Sequence, residues 1–365
     1  MLTKPQIRPT MPITSMKADS QRGVALLTIL LLVVSITVVA GAMLASQKIA
    51  IRRSGLLFEQ NQLLQDINAG QQLAVTLIRA DAKLNDTDSA QDIWAQPIPP
   101  YTLGGHSIGI ELRDEGSRFN INNLYHNGAV DTAALAVFQR LLTQLNLEPD
   151  IAVAVLDYQD ADSEVYQDGG DESVVYAQQS NRGAAQNLPN QALLSIDQLA
   201  EVKGIDSQVL ATLRPYITAV PYYLPININT ASPVLLAALV EGANSQQMQS
   251  IAELRAKQAF SSIDDVWQLP VLSSIKAEQR KALTPLLAVD SQAFMALITV
   301  SDNATVGQAR QRFATVIISK TAADGDAANN TNNNENSSNT NNADNKKPKE
   351  VRVLTQRLWA FRPIF

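Results

Sequence analysis

From Val24 to Ala45 the chain reads VALLTILLLVVSITVVAGAMLA, 22 residues without a charge. Wound as a helix at about 1.5 Å per residue, such a run covers about 33 Å, enough to cross the apolar core of a bilayer. Lys4, Arg8, Lys17 and Arg22 precede it and Lys48, Arg52 and Arg53 follow it, so positive charge alone leaves its orientation open. The run is longer than the apolar region of a secretory signal, which is about 7 to 15 residues, although Ala40-Gly41-Ala42 has the small side chains of a signal cleavage site.

Beyond the run, Leu56, Leu63, Ile67, Val75 and Ile78 recur at helical spacing among polar residues with no proline between. This predicts one helix continuing from the apolar segment to Leu84. Pro97, Pro99 and Pro100 close the helical region. Tyr101 to Arg113 alternates like a strand with an irregular start at Gly104-Gly105, and Asp114 to Leu124 reads as a turn followed by a short strand. Helical patterns dominate from Asp131 to about Leu287. Strand composition returns at Phe294–Val300, Phe313–Lys320 and Val351–Phe361. Between the last two, Ala322–Glu350 is Asn-rich with almost no apolar content, as expected of a disordered hairpin loop. The fold class is therefore α+β, a long helix on an antiparallel sheet interrupted by a large, mainly helical insertion.

The length of 365 residues calls for two or more compact units. A net charge of -6 and a pI near 5.1 supply no field for polyanions, so nucleic acid is not an expected partner. There is no cysteine, which removes disulfides and a thiol nucleophile together. His106 and His126 lie in turn-like sequence and are expected in surface loops, leaving little material for a histidine metal centre or a serine-histidine triad.

The densest chemical signal is Asp157 to Glu172, with seven carboxylates in 16 residues and no basic residue. Left bare, they repel. A hard cation taking six to eight oxygen ligands would relieve that, and Asp160-x-Asp162-x-Glu164 has the spacing of one loop wrapping calcium. It is not an EF-hand, because positions 6 and 12 counted from Asp160 are Val165 and Asp171. A solvated acidic turn and a glycosidase-like carboxylate pair are the competing readings. The second would need a lined cleft holding an acid of raised pKa, of which the sequence has no sign.

Ser195–Asp206 and Ser261–Leu272 repeat one plan of capped short helix, tight turn and second helix, like the helix-hairpin-helix units that bind DNA phosphates. Only the first turn has a Lys203-Gly204-Ile205 core, the second has Leu269-Pro270-Val271, and neither surrounding is basic. A reused packing unit is the favoured reading. The alternative is a membrane-anchored helix-hairpin-helix DNA-binding protein of a DNA-uptake or type IV pilus system.

The boundary Gln21-Arg22-Gly23 before Val24 resembles the class III leader of type IV pilins and type II secretion pseudopilins. That resemblance implies cleavage after Gly23 by the prepilin peptidase and methylation of Val24. Most of that superfamily carry glutamate at the fifth mature position, where this chain has Thr28. A missing carboxylate there is the mark of the K-type minor pseudopilins. Asp114 to Leu124 resembles their D-x-x-G-R-F-N-L-N-x-L segment, with Ser117 inserted between glycine and arginine. Asp157-Tyr158-Gln159-Asp160-Ala161-Asp162, then Gly170-Asp171-Glu172-Ser173 and Tyr176, resembles their calcium loop, and Pro225-Ile-Asn-Ile-Asn-Thr-Ala231 their linker.

By that resemblance Asp160, Asp162 and Glu172 are side-chain ligands of a structural calcium, with Asp157, Glu164, Asp168 and Asp171 around them, Asp157 orienting the loop or capping a helix. The implied organisation is a leader over 1–23, a transmembrane helix over 24–47 and a pilin-like part over 48–130. A helical insertion with the calcium loop follows over 131–290, then final strands over 291–365 with the disordered loop 322–350. The implied function is non-enzymatic: a subunit held in the bacterial inner membrane, its soluble domain in the periplasm, at the tip of the pseudopilus of a type II secretion system. Its partners would be two smaller minor pseudopilins, the major pseudopilin, the prepilin peptidase and the inner-membrane secretion platform.

Overall fold

This computed structural model describes residues 18–169, 190–272, 275–302, 311–322 and 349–365. The chain divides into two compact units, Met1–Leu64 and Gln65–Phe365. Helix α1 runs over Ala18–Leu84, 67 residues.

In the first unit every side chain from Gly23 to Asn61 is exposed, and Leu26 reaches 72%. An 18-residue window within it has a mean hydropathy of 2.8, which suits lipid and not water. Its few hydroxyls do not break that surface, because they return their hydrogens to the helix. Thr28 Oγ1 donates to the Ala25 carbonyl at 2.9 Å and Ser35 Oγ to that of Leu31 at 2.7 Å.

The second unit is built on a five-stranded antiparallel sheet in the order β1-β2-β9-β10-β11. Strand β1 is Tyr101–Leu103 and β2 is His106–Asp114. Strands β9 (Ala293–Asp302), β10 (Gln311–Ala322) and β11 (Lys349–Trp359) complete it. Ile67, Ala74, Val75 and Ile78 of α1 are buried, forming the apolar stripe expected of a helix laid on a sheet. The single strand expected over Tyr101–Arg113 is a hairpin. Gly104 and Gly105 take φ of 59° and 93°, the left-handed pair that a two-residue turn between Leu103 and His106 requires. Ala322 pairs with Lys349, so the Asn-rich segment joins β10 to β11, and its residues 323–348 lie outside those described.

Among the described residues, the chain between β2 and β9 adds no strand to this sheet. It begins with a 3-10 turn Glu115–Ser117, β3 (Phe119–Asn120), a second 3-10 turn Ile121–Asn123 and a hairpin of β4 (Tyr125–His126) and β5 (Ala129–Val130). Helices α2 (Thr132–Gln144), α3 (Ile151–Asp157) and α4 (Ser207–Leu213) lead to β6 (Ile217–Thr218) and β7 (Ile226–Asn227). Then come α5 (Pro233–Leu239), α6 (Ser245–Lys257), α7 (Ile263–Trp267), α8 (Ala277–Leu283) and β8 (Leu287–Ala288). Caps set the starts of several of these helices. Asp131 accepts from Ala133 and Ala134, Asp206 from Gln208 and Val209, and Asn244 forms a reciprocal box with Gln247. Phe119 stacks on Phe138 at 5.3 Å within a core that also holds Leu141, Leu156, Leu193, Leu236 and Leu286.

Neither histidine is in a loop. His106 opens β2 with Nδ1 2.5 Å from Asp66 Oδ2 of α1, and His126 lies in β4 with its ring 4.6 Å from Tyr223. The turn-like letters around them are tight hairpin turns, Gly104-Gly105 and Asn127-Gly128, so the flanking residues belong to strands.

Candidate functional site

Three asparagines of the R-F-N-I-N-N-L segment are buried, and each grips backbone far along the chain. Asn123 Oδ1 accepts from Leu224 N at 2.9 Å while its Nδ2 donates to Leu224 O at 2.7 Å. Asn122 treats Leu193 in the same way, at 2.9 Å in both directions. Asn120 Oδ1 accepts from Val220 N, and its Nδ2 donates to Val220 O and Tyr222 O. A side-chain amide has the donor and acceptor of a peptide, so these residues splice irregular backbone where no ladder could form.

The Pro225–Ala231 linker repeats the device. Asn229 holds Phe260 N at 2.8 Å and donates to Phe260 O and Val289 O. Asn227 Nδ2 reaches Asp88 O, Ser291 Oγ and Asp114 Oδ2. Asp114 is buried, which pushes its carboxyl up to about 6.

In the acidic loop, Asp157 ends α3 and accepts from Tyr166 N at 3.1 Å, fixing a nine-residue excursion. Asp162 Oδ1 accepts from Glu164 N at 2.9 Å, and its carbonyl receives Asn190 Nδ2 at 2.7 Å. Asp160 is buried, and its Oδ1 has no hydrogen-bond partner. Burial, with Asp162 and Asp157 adding repulsion, pushes its carboxyl up to about 7. Glu164 and Asp168 are exposed. Gly170, Asp171, Glu172, Ser173 and Tyr176 lie outside the described residues.

Among the described residues, the one trio of carboxylates whose oxygens lie within 4.8 Å of one another is Asp81, Asp88 and Asp92. It sits where α1 ends and was not anticipated. The acidic spacing from Asp81 to Asp92 was visible but straddles the helix end, and only the fold brings the groups together. In the first repeat, Gly204 takes φ of +82°, and a β-carbon there would lie 3.2 Å from Ile151 Cγ1, so the turn rests on the insertion's own core.

Two family models match, both described as type II secretion system protein K, one over residues 117–222 and the other over 226–290. The chain belongs to the protein K family. The first match begins at Ser117 and takes in the Asn120–Asn123 clamps and the acidic loop, while the second begins at Ile226 with the Asn227–Asn229 clamp. Type II secretion system protein K of Pseudomonas aeruginosa is 28% identical over 256 residues, covering 67% of this chain and 75% of that protein. The protein K of Klebsiella pneumoniae is 28% identical over 295 residues, covering 77% and 88%. The crystal structure of the GspK-GspI-GspJ complex from enterotoxigenic Escherichia coli contains a chain of the same fold. Its TM-score is 0.66 at 21% sequence identity, covering 84% of this chain and 99% of that one. The protein K fold thus unites a long helix, a five-stranded sheet and helical segments, while Asp81, Asp88 and Asp92 precede both family matches.

Proposed function

We propose that this chain is a minor pseudopilin that sits at the tip of a type II secretion pseudopilus, joins two smaller minor pseudopilins there and starts its assembly. Its work is assembly and not catalysis. The observation that carries this reading is Thr28: in a fully exposed apolar helix, at the position where the superfamily places glutamate, its hydroxyl bonds to its own helix at Ala25. A carboxylate within lipid needs a cationic partner, such as the terminal ammonium of a preceding subunit. Thr28 makes no such demand, so this subunit needs no predecessor.

The helix anchors the chain in the inner membrane, with the remainder in the periplasm. Cleavage after Gly23 leaves Val24 as the methylated terminus. The pilin-like part spans 48–130 and 291–365, and the insertion 131–290. The helix-hairpin-helix-like pairs act as packing units; the seating of Gly204 against Ile151 and the net charge of -6 support that over DNA binding.

A structural calcium in the acidic loop fits the residues that can be seen. Asp160 offers a buried oxygen without a partner, and Asp162 lies beside it in sequence and in electrostatic reach. Glu172 would complete the set. Such an ion would supply rigidity that a cysteine-free domain lacks. N-terminal analysis of the protein purified from membranes tests the whole reading. Methylated Val24 is expected, and a start near Met43 would overturn it.

A further inference from the structure

The acidic trio at the end of α1 has geometry that the pseudopilin reading does not use. Asp81 and Asp88 are 1% and 0% exposed, and each keeps one carboxylate oxygen, Asp81 Oδ2 and Asp88 Oδ1, without a hydrogen-bond partner. The remaining oxygens are held in place. Asn85 Nδ2 bridges Asp81 Oδ1 at 3.3 Å and Asp92 Oδ1 at 3.1 Å, Ser89 N donates to Asp92 Oδ2 at 2.6 Å, and Ser291 N donates to Asp88 Oδ2 at 2.7 Å. Lys320, itself buried, pairs with Asp88 Oδ2. Three carboxylates, two of them buried and Asp92 half-buried, therefore crowd one buried ammonium, with Lys349 adding only a weaker attraction on Asp88, so negative charge is in excess at the site. Uncompensated buried charge is costly, and a cation or protons would balance it.

We propose that Asp81, Asp88 and Asp92 bind a hard divalent cation of calcium's size, separate from any ion in the acidic loop. Oxygens within 4.8 Å of one another can all lie about 2.3 to 2.6 Å from one central ion. The ion takes the two orphan oxygens, and Asn85 is poised to join. A half-turn of its amide replaces the donor between Asp81 and Asp92 with an oxygen facing the ion. Calcium suits the site better than magnesium, which demands octahedral geometry and gives up water reluctantly. The ion would pin the end of α1 to the sheet, since Asp88 also bonds through its own N–H to Val289 O at 3.1 Å, just ahead of β9.

The test uses the full chain in detergent, stripped with chelator and titrated with calcium, with bound ions counted by native mass spectrometry. In the Asp160→Asn/Asp162→Asn background one calcium per chain is expected to remain, and adding Asp81→Asn should abolish it together with the calcium-dependent rise in melting temperature. Asp81→Asn preserves shape and removes repulsion, so the variant folds without an ion. Calcium uptake unchanged by Asp81→Asn overturns the proposal. So does a background that takes up none while wild-type near-ultraviolet circular dichroism shows it folded. A rise in melting temperature for Asp81→Asn that is equal with and without calcium would assign the balance to protons instead. If the background does not fold, Asp81→Asn alone must lower the count by one relative to wild type.

Discussion

Asn123 and Leu224 are joined by two hydrogen bonds, side chain to backbone, donor to acceptor in both directions. Both ends are buried. Asn123→Leu therefore strands a backbone N–H and a C=O at once, at about 1 to 3 kcal/mol each. Denaturant unfolding should show a lower midpoint with an unchanged slope. Asn123→Asp keeps the acceptor but sets a carboxylate against the Leu224 carbonyl, so it should not rescue.

Gly70 of α1 meets the sheet closely, for an added β-carbon would lie 2.7 Å from Ile298 Cγ2 and 3.2 Å from Ile108 Cγ2. Alanine in place of glycine within a helix ordinarily gains about 1 kcal/mol. Here overpacking against two stiff β-branched side chains costs about 1 to 3 kcal/mol and wins. Gly70→Ala should lower the melting temperature and Gly70→Val should lower it further.

Calcium at about a hundred times its dissociation constant stabilises a fold by about 2.7 kcal/mol. Calorimetry of the full chain should show a fall of several degrees on adding chelator. Asp160→Asn should shrink that fall, and a melting temperature indifferent to chelator would refute calcium in the acidic loop.

Asp114 gives the apo protein a pH dependence of definite sign. Burial raises its carboxyl from the ordinary 3.8 to about 6, so between those values the folded chain binds more protons than the unfolded one. Its contribution is thus fully present below about pH 4, falls as pH rises to about 6 and is level above. Asp114→Asn should flatten that slope in unfolding curves recorded across the window, with or without calcium.

Thr28→Glu would put a carboxylate into the exposed apolar helix. If the tip position depends on its absence, the variant should lower secretion of exported proteins while expression and membrane insertion stay normal. Unchanged secretion would count against the tip assignment.

Much of this was legible along the chain. The apolar run and the strands around Phe294, Phe313 and Val351 show themselves because their physics is local, in hydropathy and in branched side chains. The asparagine clamps were visible only as a motif. The partners of Asn122 and Asn123 at Leu193 and Leu224 are about 70 and 100 residues away, and no pattern announces which carbonyl a buried amide will meet. The trio Asp81, Asp88 and Asp92 was hidden for a related reason. Residues seven and four apart across a helix end converge only once the following loop is folded back by Asn85 and Ser291.

The pairing of Asp114 with Phe294 joins strands whose ends are 180 residues apart along the chain. Closing so long a flexible loop costs about 5 kcal/mol of chain entropy, before the sheet returns anything. A folded insertion removes most of that cost, because its two ends then already emerge side by side. An order of events is expected from this: the helical segment condenses first, and β2 joins β9 last. A lesion in the core between β2 and β9, at Phe119 or Phe138, should then slow formation of a sheet to which neither residue belongs.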